Sequence, residues 1–260
     1  MSIKYFFTRL SIKFSFFFLE VSDFFHSFPI VFLNPAELAK LNNSHYQKPY
    51  IVEKWEENGD FVLSPGEEQF IKKYGFEGAR ALVIGSGAGR ESIALAKLGF
   101  QVKAIDSSLS MLEAAARNIE KSGVRVDLLH LSLYEICRLG GDFDMVFLGG
   151  NYGMIPTRKF RQKALSEIKK RLKPGGIVYL EFRGYEPSKY AGFRYALYKI
   201  IAYLILGNRQ VEPGDFILGT GEFYHYFGSM DTVIKEAQGA GFAVDKFNWE
   251  EDALFLKAQV

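Results

Sequence analysis

The stretch Ala81–Ser92, A-L-V-I-G-S-G-A-G-R-E-S, constrains the fold more than any other part of the chain. Ala81-Leu82-Val83-Ile84 is a short uninterrupted apolar run, the pattern of a strand buried on both faces of a parallel sheet. Gly85, Gly87 and Gly89 follow, and from Arg90 to Leu98 the apolar residues Ile93, Ala94 and Leu98 recur at helical spacing. Strand, glycine turn and helix in that order build a site for a nucleotide-like ligand at the carboxyl end of a parallel sheet. The glycines allow the sharp turn and let a ligand lie against main-chain atoms. A dinucleotide fingerprint would put its third glycine at position 90, where this chain has Arg90. The pattern is G-x-G-x-G instead, which argues against a nicotinamide oxidoreductase.

The next elements keep the same rhythm. Gln101–Asp106 reads as a second strand ending in a carboxylate, placed where this architecture receives a ribose diol. Asp106 opens the run D-x-S-x-x-M-L-x-x-A, in which Ser110 and Glu113 are expected to form the capping box of a helix reaching about Ser122. Val126–Leu131 reads as the third strand and Asp142–Leu148, with its F-D-x-V run, as the fourth. Arg158–Leu172 has a helical apolar face (Phe160, Ala164, Leu165, Ile168, Leu172), followed by the turn L-K-P-G-G and a fifth strand, Ile177–Phe182. A helix is expected from about Met230 to Ala240, and Asp245–Trp249 with Ala253–Lys257 as a closing antiparallel pair.

The G-x-G-x-G turn, the D-x-S-x-x-M-L-x-x-A run and L-K-P-G-G together resemble the class I S-adenosylmethionine-dependent methyltransferases, from about Phe61 to Val260. The resemblance implies an α/β fold with a seven-stranded Rossmann-like sheet, mostly parallel with the last strand antiparallel, and helices on both faces. It implies S-adenosylmethionine as cofactor, held by Gly85, Ser86, Gly87 and Gly89 in the turn and by Asp106 at the ribose. Ser107 and Met111 would flank the adenine, Ser132 or Leu133 would close over it, and Gly149 would stand where the methyl group is presented. Two positions depart from the family pattern. Ser132 and Leu133 stand where an acid usually meets the adenine, and Val83 replaces an acid near the methionine ammonium, a role left to backbone carbonyls.

Two segments lie outside the sheet pattern, and there the aromatics gather, 25 Phe and 14 Tyr in 260 residues. Residues 1–61 are expected to form a helical cap or lid. Ile3, Phe6, Phe7, Leu10, Phe14 and Phe17 recur at helical spacing, which reads as an amphipathic helix packed on the core, with an interfacial membrane helix as the sharper alternative. Asn34 is expected to cap a short helix through Leu41. Residues 42–59 read as a polar connection in which Tyr46 and Tyr50 could touch the ligands. The domain proper is expected over 62–260, with a cap insertion at about 184–220. In that insertion Ala191–Leu206 is apolar nearly all round and reads as a buried cap helix, too short to span a bilayer.

A net charge of +2 gives no reason to expect nucleic acid as partner, and the aromatic cap favours a small or lipophilic acceptor, with O- or N-methylation both open. Peripheral membrane contact through the cap is compatible with this. The single cysteine, Cys137, suits a reducing, cytoplasmic setting. Methyl transfer from a sulfonium needs positioning more than side-chain chemistry. His225 and Tyr152 are the candidate catalytic groups, Asn151, Arg183 and Tyr224 the candidate substrate contacts, and no metal is expected. A non-catalytic S-adenosylmethionine-binding regulator and an RNA or protein methyltransferase are the alternatives.

Overall fold

The computed structural model describes residues 21–22, 24–57, 61–184, 191–248 and 252–259. The helical reading of residues 1–20 lies outside them. A 3-10 turn at Phe28–Val31 leads into α1 (Pro35–His45), α2 (Pro49–Glu57) and α3 (Pro65–Tyr74). Strand and helix then alternate: β1 (Arg80–Ile84), α4 (Arg90–Lys97), β2 (Gln101–Asp106), α5 (Leu109–Ser122), β3 (Val126–His130), β4 (Phe143–Leu148), α6 (Arg158–Lys169) and β5 (Leu172–Glu181). The chain leaves the sheet for α7 (Ala191–Leu204) and a short hairpin of β6 (Asp215–Ile217) and β7 (Phe223–His225). It returns through α8 (Met230–Gly239), β8 (Phe242–Asn248) and β9 (Ala253–Ala258).

The main sheet has seven strands in the order β3-β2-β1-β4-β5-β9-β8. The pairs from β3 to β5 are parallel, and β9 runs antiparallel to both β5 and β8. The order reverses beside β1, between β2 and β4, and there the carboxyl ends of the strands open a crevice. Alternation along the strands divides the core. Leu82, Val146, Val178 and Leu180 pack towards Leu165, Ile168 and Val233 of α6 and α8. Ala81, Val83, Phe147 and Tyr179 pack on the other face against Phe70 of α3 and Leu95 of α4. Phe70 meets Phe147, Tyr179 and Phe255 edge-on at 5.2, 5.6 and 5.2 Å, a preferred aromatic geometry.

Four local expectations change. Helix α5 is capped by Ser108, not Ser110: Asp106 Oδ1 accepts from the Ser108 amide at 2.8 Å, and the Ser108 hydroxyl accepts from the Met111 amide at 3.3 Å. Of the stretch read as a polar connection, residues 42–57 are largely helical. Pro49 starts α2, Ile51 and Val52 bury against Met111 and Ala114 of α5, and Arg117 clamps Glu56 bidentately at 2.8 and 2.7 Å. L-K-P-G-G belongs to β5, which begins at Leu172 opposite Phe143 and shifts register before Ile177. Helix α7 is buried on one side only, through Tyr198 and Ala202, and these join Ile30, Val31, Leu38 and Phe223 in a separate apolar cluster. Asn34 caps α1 as expected, with Glu37 completing the box, but the helix runs to His45.

Candidate active site

The glycine turn is tied down from two sides. The Gly85 and Ser86 amides donate to Ile105 O at 2.9 and 3.0 Å, and the Gly87 amide donates to Asp106 Oδ2 at 2.8 Å. From the β4 side, Asn151 Nδ2 donates to Ile84 O at 3.2 Å and Gly149 O at 2.7 Å. Gly85, Gly87 and Gly89 hold φ of 73°, 52° and 96°, a region costly for residues with a Cβ. A Cβ on Gly85 would overlap the Asn151 amide, whereas one on Gly87 would meet nothing within 4 Å. Gly85→Ala is therefore expected to destabilise the fold by at least ~1–2 kcal/mol from φ alone, with the Asn151 overlap added, measured by urea unfolding. A loss no greater than that of an exposed-loop substitution would contradict this role.

Around the turn lies a cavity of about 470 Å³, within the range of roughly 300–1,000 Å³ usual for small-molecule sites. It is walled by Gly85, Ser86, Gly87, Asp106, Ser107 and Met111 on one side. Ser132, Leu133, Gly149, Asn151 and Arg183 continue it, and Asn42, Asn43 and Tyr46 of α1 and its C-cap, with Trp55 of α2, roof it. Gly89 does not line it. Gly89 caps α4 and its α-carbon faces Ala115 and Ile93, so it serves helix packing. The Ser132 hydroxyl accepts from the Tyr134 amide at 3.3 Å, capping the 3-10 turn Leu133–Arg138, which leaves its proton to donate.

The two candidate catalytic side chains lie elsewhere. Tyr152 is fully buried, stacks on Phe227 at 5.5 Å and donates to Glu236 Oε2 at 2.6 Å. His225 is 4% exposed, with Nδ1 bonded to Asp215 Oδ1 at 2.7 Å and its ring edge-on to Phe227 at 4.7 Å. Neither lines the cavity, because both are spent on a polar network under the cap. Glu212, Asp215 and His225 bring a ligand atom each within 4.8 Å of one another. Those atoms are already engaged, His225 with Asp215, Glu212 with Arg161 at 2.8 Å and the Arg158 amide at 2.6 Å. Tyr224 is also buried outside the lining, beneath the Arg183 guanidinium at 5.1 Å. Asn151 reaches the cavity, but its Nδ2 is committed to backbone carbonyls.

Three lining groups carry chemistry that the sequence reading missed or left open. Glu91, in the first turn of α4, is bound to Arg90 at 2.7 Å. A Cβ on Gly149 would come 3.4 Å from Glu91 Oε1 and 3.8 Å from Glu181 Oε2, so two carboxylates flank this glycine. Burial pushes the Glu91 carboxyl up against the pull of Arg90. Tyr46 donates to Glu222 Oε2 at 2.7 Å, and burial, then the Glu222 charge, push its phenol well above the usual value. Tyr46 thus stays protonated. Tyr50 is exposed and apart from the cavity. Arg90 grips Glu67 with two bonds of 2.8 and 2.9 Å, which explains an arginine where a dinucleotide site has glycine.

A family profile described as a methyltransferase domain matches residues 81–176. The glycine/sarcosine N-methyltransferase of Aphanothece halophytica is 32% identical over 202 residues, covering 75% of this chain and 74% of that protein. The chain belongs to the S-adenosylmethionine-dependent methyltransferases. The ubiquinone biosynthesis O-methyltransferase of Dinoroseobacter shibae is 31% identical over 176 residues, covering 61% of this methyltransferase and 67% of that one. In fold it resembles the 1,6-didemethyltoxoflavin-N1-methyltransferase of Burkholderia thailandensis, with a TM-score of 0.60 at 15% identity, over 87% of this chain and 91% of that one. The methyltransferase uses S-adenosylmethionine, and its residues fit that group. The turn is open to the cavity at Gly87, Asp106 has lone pairs left beyond its amide donors, and the buried Ser86 hydroxyl lacks a partner.

Proposed function

We propose that this methyltransferase modifies a small molecule bearing an anionic group, held at the Arg183 end of the cavity. The observation that carries the reading is the cavity itself, which runs from the glycine turn and Asp106 to Arg183 and Tyr46 beneath α1 and α2. The cofactor supplies an activated methyl group, so the protein's task is placement. Asp106 accepts the ribose hydroxyls, Ser107 and Met111 flank the adenine, and Leu133 with the Ser132 hydroxyl closes over it. Gly85, Ser86, Gly87 and Gly149 line the path to the reacting carbon. Glu91 takes the ammonium role that Val83 cannot fill. Arg183 offers a fork of donors to a carboxylate or phenolate. Where the acceptor must lose a proton, Tyr46 can accept it while passing its own to Glu222.

Residues 1–61 and the insertion at about 184–220 act as one cap over the domain of residues 62–260. The cluster uniting Ile30, Val31 and Leu38 with Tyr198, Ala202 and Phe223 supports this division. No helix among the described residues is long and apolar enough to cross a membrane, and the exposed free Cys137 suits a cytoplasmic enzyme.

The test is methyl transfer from methyl-labelled S-adenosylmethionine to glycine, sarcosine and 3,4-dihydroxybenzoate, beside bulk tRNA and bulk cellular protein. Label is expected on a small acid. Arg183→Leu should raise its KM about 10–100-fold and leave cofactor affinity unchanged. Label confined to RNA or protein would overturn the reading.

A further inference from the structure

The outward side of α7 is an unusual surface. At 100° per residue, Gly192, Phe193, Ala196, Ile200, Tyr203 and Leu204 share an arc of about 120°, and all are solvent-facing without one charge among them. Phe193 and Leu204 are 72% and 73% exposed, and Leu206, just past the helix, 79%. The patch continues onto the preceding segment. Phe25 and Phe32 are exposed, and their neighbours Phe24 and Phe28 pack on Tyr198 of α7 at 5.3 and 6.1 Å. Single exposed apolar residues need no explanation, but a contiguous stripe of this kind marks a surface made for contact.

Charge says what the contact is. From Ala191 to Val211 the chain has no acid, and its cations rim the stripe. Arg209 sits over the Tyr203 ring at 4.9 Å, and Lys199 Nζ bonds the Arg209 carbonyl at 2.6 Å. In the sequence, residues 1–19 also carry Lys4, Arg9 and Lys13 and no acid. Arg194, Lys199 and Arg209 thus give residues 191–211 a charge of +3 in a chain that nets +2 overall, an excess local to this part of the cap. An apolar aromatic stripe rimmed by cations and free of acids matches an anionic bilayer in both hydropathy and charge.

We propose that the cap docks this face of α7 on an anionic membrane surface, lying in the interface without crossing it. Phe193, Ile200, Leu204 and Leu206 enter the boundary between headgroups and acyl chains, and Lys199 and Arg209 meet the phosphates. The inner side of α7 shares its cluster with Leu38 of α1, and the next residue, Ala39, lines the cavity roof. Docking surface and roof are therefore two sides of one packed unit, which puts the cavity of a membrane-bound enzyme close beneath the lipid.

Sedimentation of the full chain with vesicles tests this. One set is phosphatidylcholine alone, the other contains about one third phosphatidylglycerol, a strongly anionic surface. The protein is expected to pellet with the anionic vesicles, more weakly with the neutral ones, and less as salt rises. The triple variant Phe193→Ser, Leu204→Ser, Leu206→Ser should lose at least about tenfold in vesicle affinity, because three apolar side chains leave the interface. Its melting temperature and the rise in melting temperature caused by S-adenosylhomocysteine should stay unchanged, which separates lost docking from lost folding or a failed cofactor site. Lys199→Glu with Arg209→Glu should weaken binding to anionic vesicles alone. Wild type that stays in solution with both vesicle sets would overturn the proposal, as would a triple variant that binds like wild type. A concentration-dependent dimer that the triple variant abolishes, without vesicle binding, would assign the face to a second copy instead.

Discussion

Replacing Arg161 by methionine is expected to cost about 3–5 kcal/mol of stability, the usual result of stripping one partner from a buried ion pair. Arg161 is 1% exposed. Its Nε and Nη2 donate to the two Glu236 oxygens at 2.9 and 2.8 Å, and Nη2 also reaches Glu212 Oε2 at 2.8 Å. Its guanidinium lies 5.1 Å from the Phe227 ring centroid. Burial alone would raise the Glu212 carboxyl, but the Arg161 charge and the Arg158 amide outweigh it and hold it below the usual range. Without Arg161, Glu236 is a fully buried carboxylate whose remaining bond is from Tyr152, and the Glu212 carboxylate is left with the Arg158 amide. The double variant Arg161→Met, Glu236→Leu should recover a large part of the loss, since the fully buried carboxylate then goes with its partner and Glu212, only half-buried, keeps the Arg158 amide. It still leaves the Tyr152 hydroxyl unpaired, at about 1–3 kcal/mol. Urea unfolding of both variants checks this; a single-variant loss under about 1 kcal/mol would contradict it. Because the network joins α6 and α8 to the cap hairpin, what folds of the single variant should bind cofactor normally.

The second large effect is on the cofactor. Asp106→Ala is expected to weaken S-adenosylhomocysteine binding by about 1.5–3 kcal/mol, the scale of a hydrogen bond to a charged group, which is a rise in Kd of roughly ten- to over a hundredfold. The same carboxylate gives the affinity a pH dependence. Burial raises Asp106 above the ordinary aspartate range, against the pull of the Ser108, Gly87 and Ser107 amides. The ionised form is the one that accepts two hydroxyls. Affinity is therefore full above the folded-state pKa and falls as pH drops through it, beginning at a higher pH than for a free aspartate. The Asp106→Ala protein should lack that acid limb. Calorimetric titrations across pH read both effects, and a wild-type affinity flat down to the ordinary aspartate range would count against the assignment.

Much of this was legible in the sequence because it rests on local chemistry. Apolar runs such as Ala81–Ile84 and Met145–Leu148, bounded by turn residues, are short enough to read as buried strands, and the glycines at 85 and 87 announce a turn whose positive φ disfavours any side chain. The carboxylate closing β2 was readable for the same reason. What was not legible depends on partners far away in the chain. Helix α2 buries only Ile51 and Val52, so its reason to fold is the α5 surface it meets. Tyr152 and His225 look the same in a catalytic site as in a core network, and Glu236 and Asp215, which decide between the two, carry no mark of it in sequence. Glu91 sits one residue after Arg90 and reads as an ordinary first-turn acid until Gly149, just past β4, is seen opposite it. Phe193 and Leu204 read as core residues of an all-apolar helix, since hydropathy does not say which side of a helix is covered.

The most direct test of the account is a crystal structure of the protein with S-adenosylhomocysteine. The ribose hydroxyls are expected on the Asp106 carboxylate, the adenine between Met111 and Leu133, the amino group near Glu91, and the sulfur beside Gly149 facing Arg183 and Tyr46. A ligand bound outside the Gly85–Asp106 crevice, or one whose sulfur points away from Arg183, would contradict it.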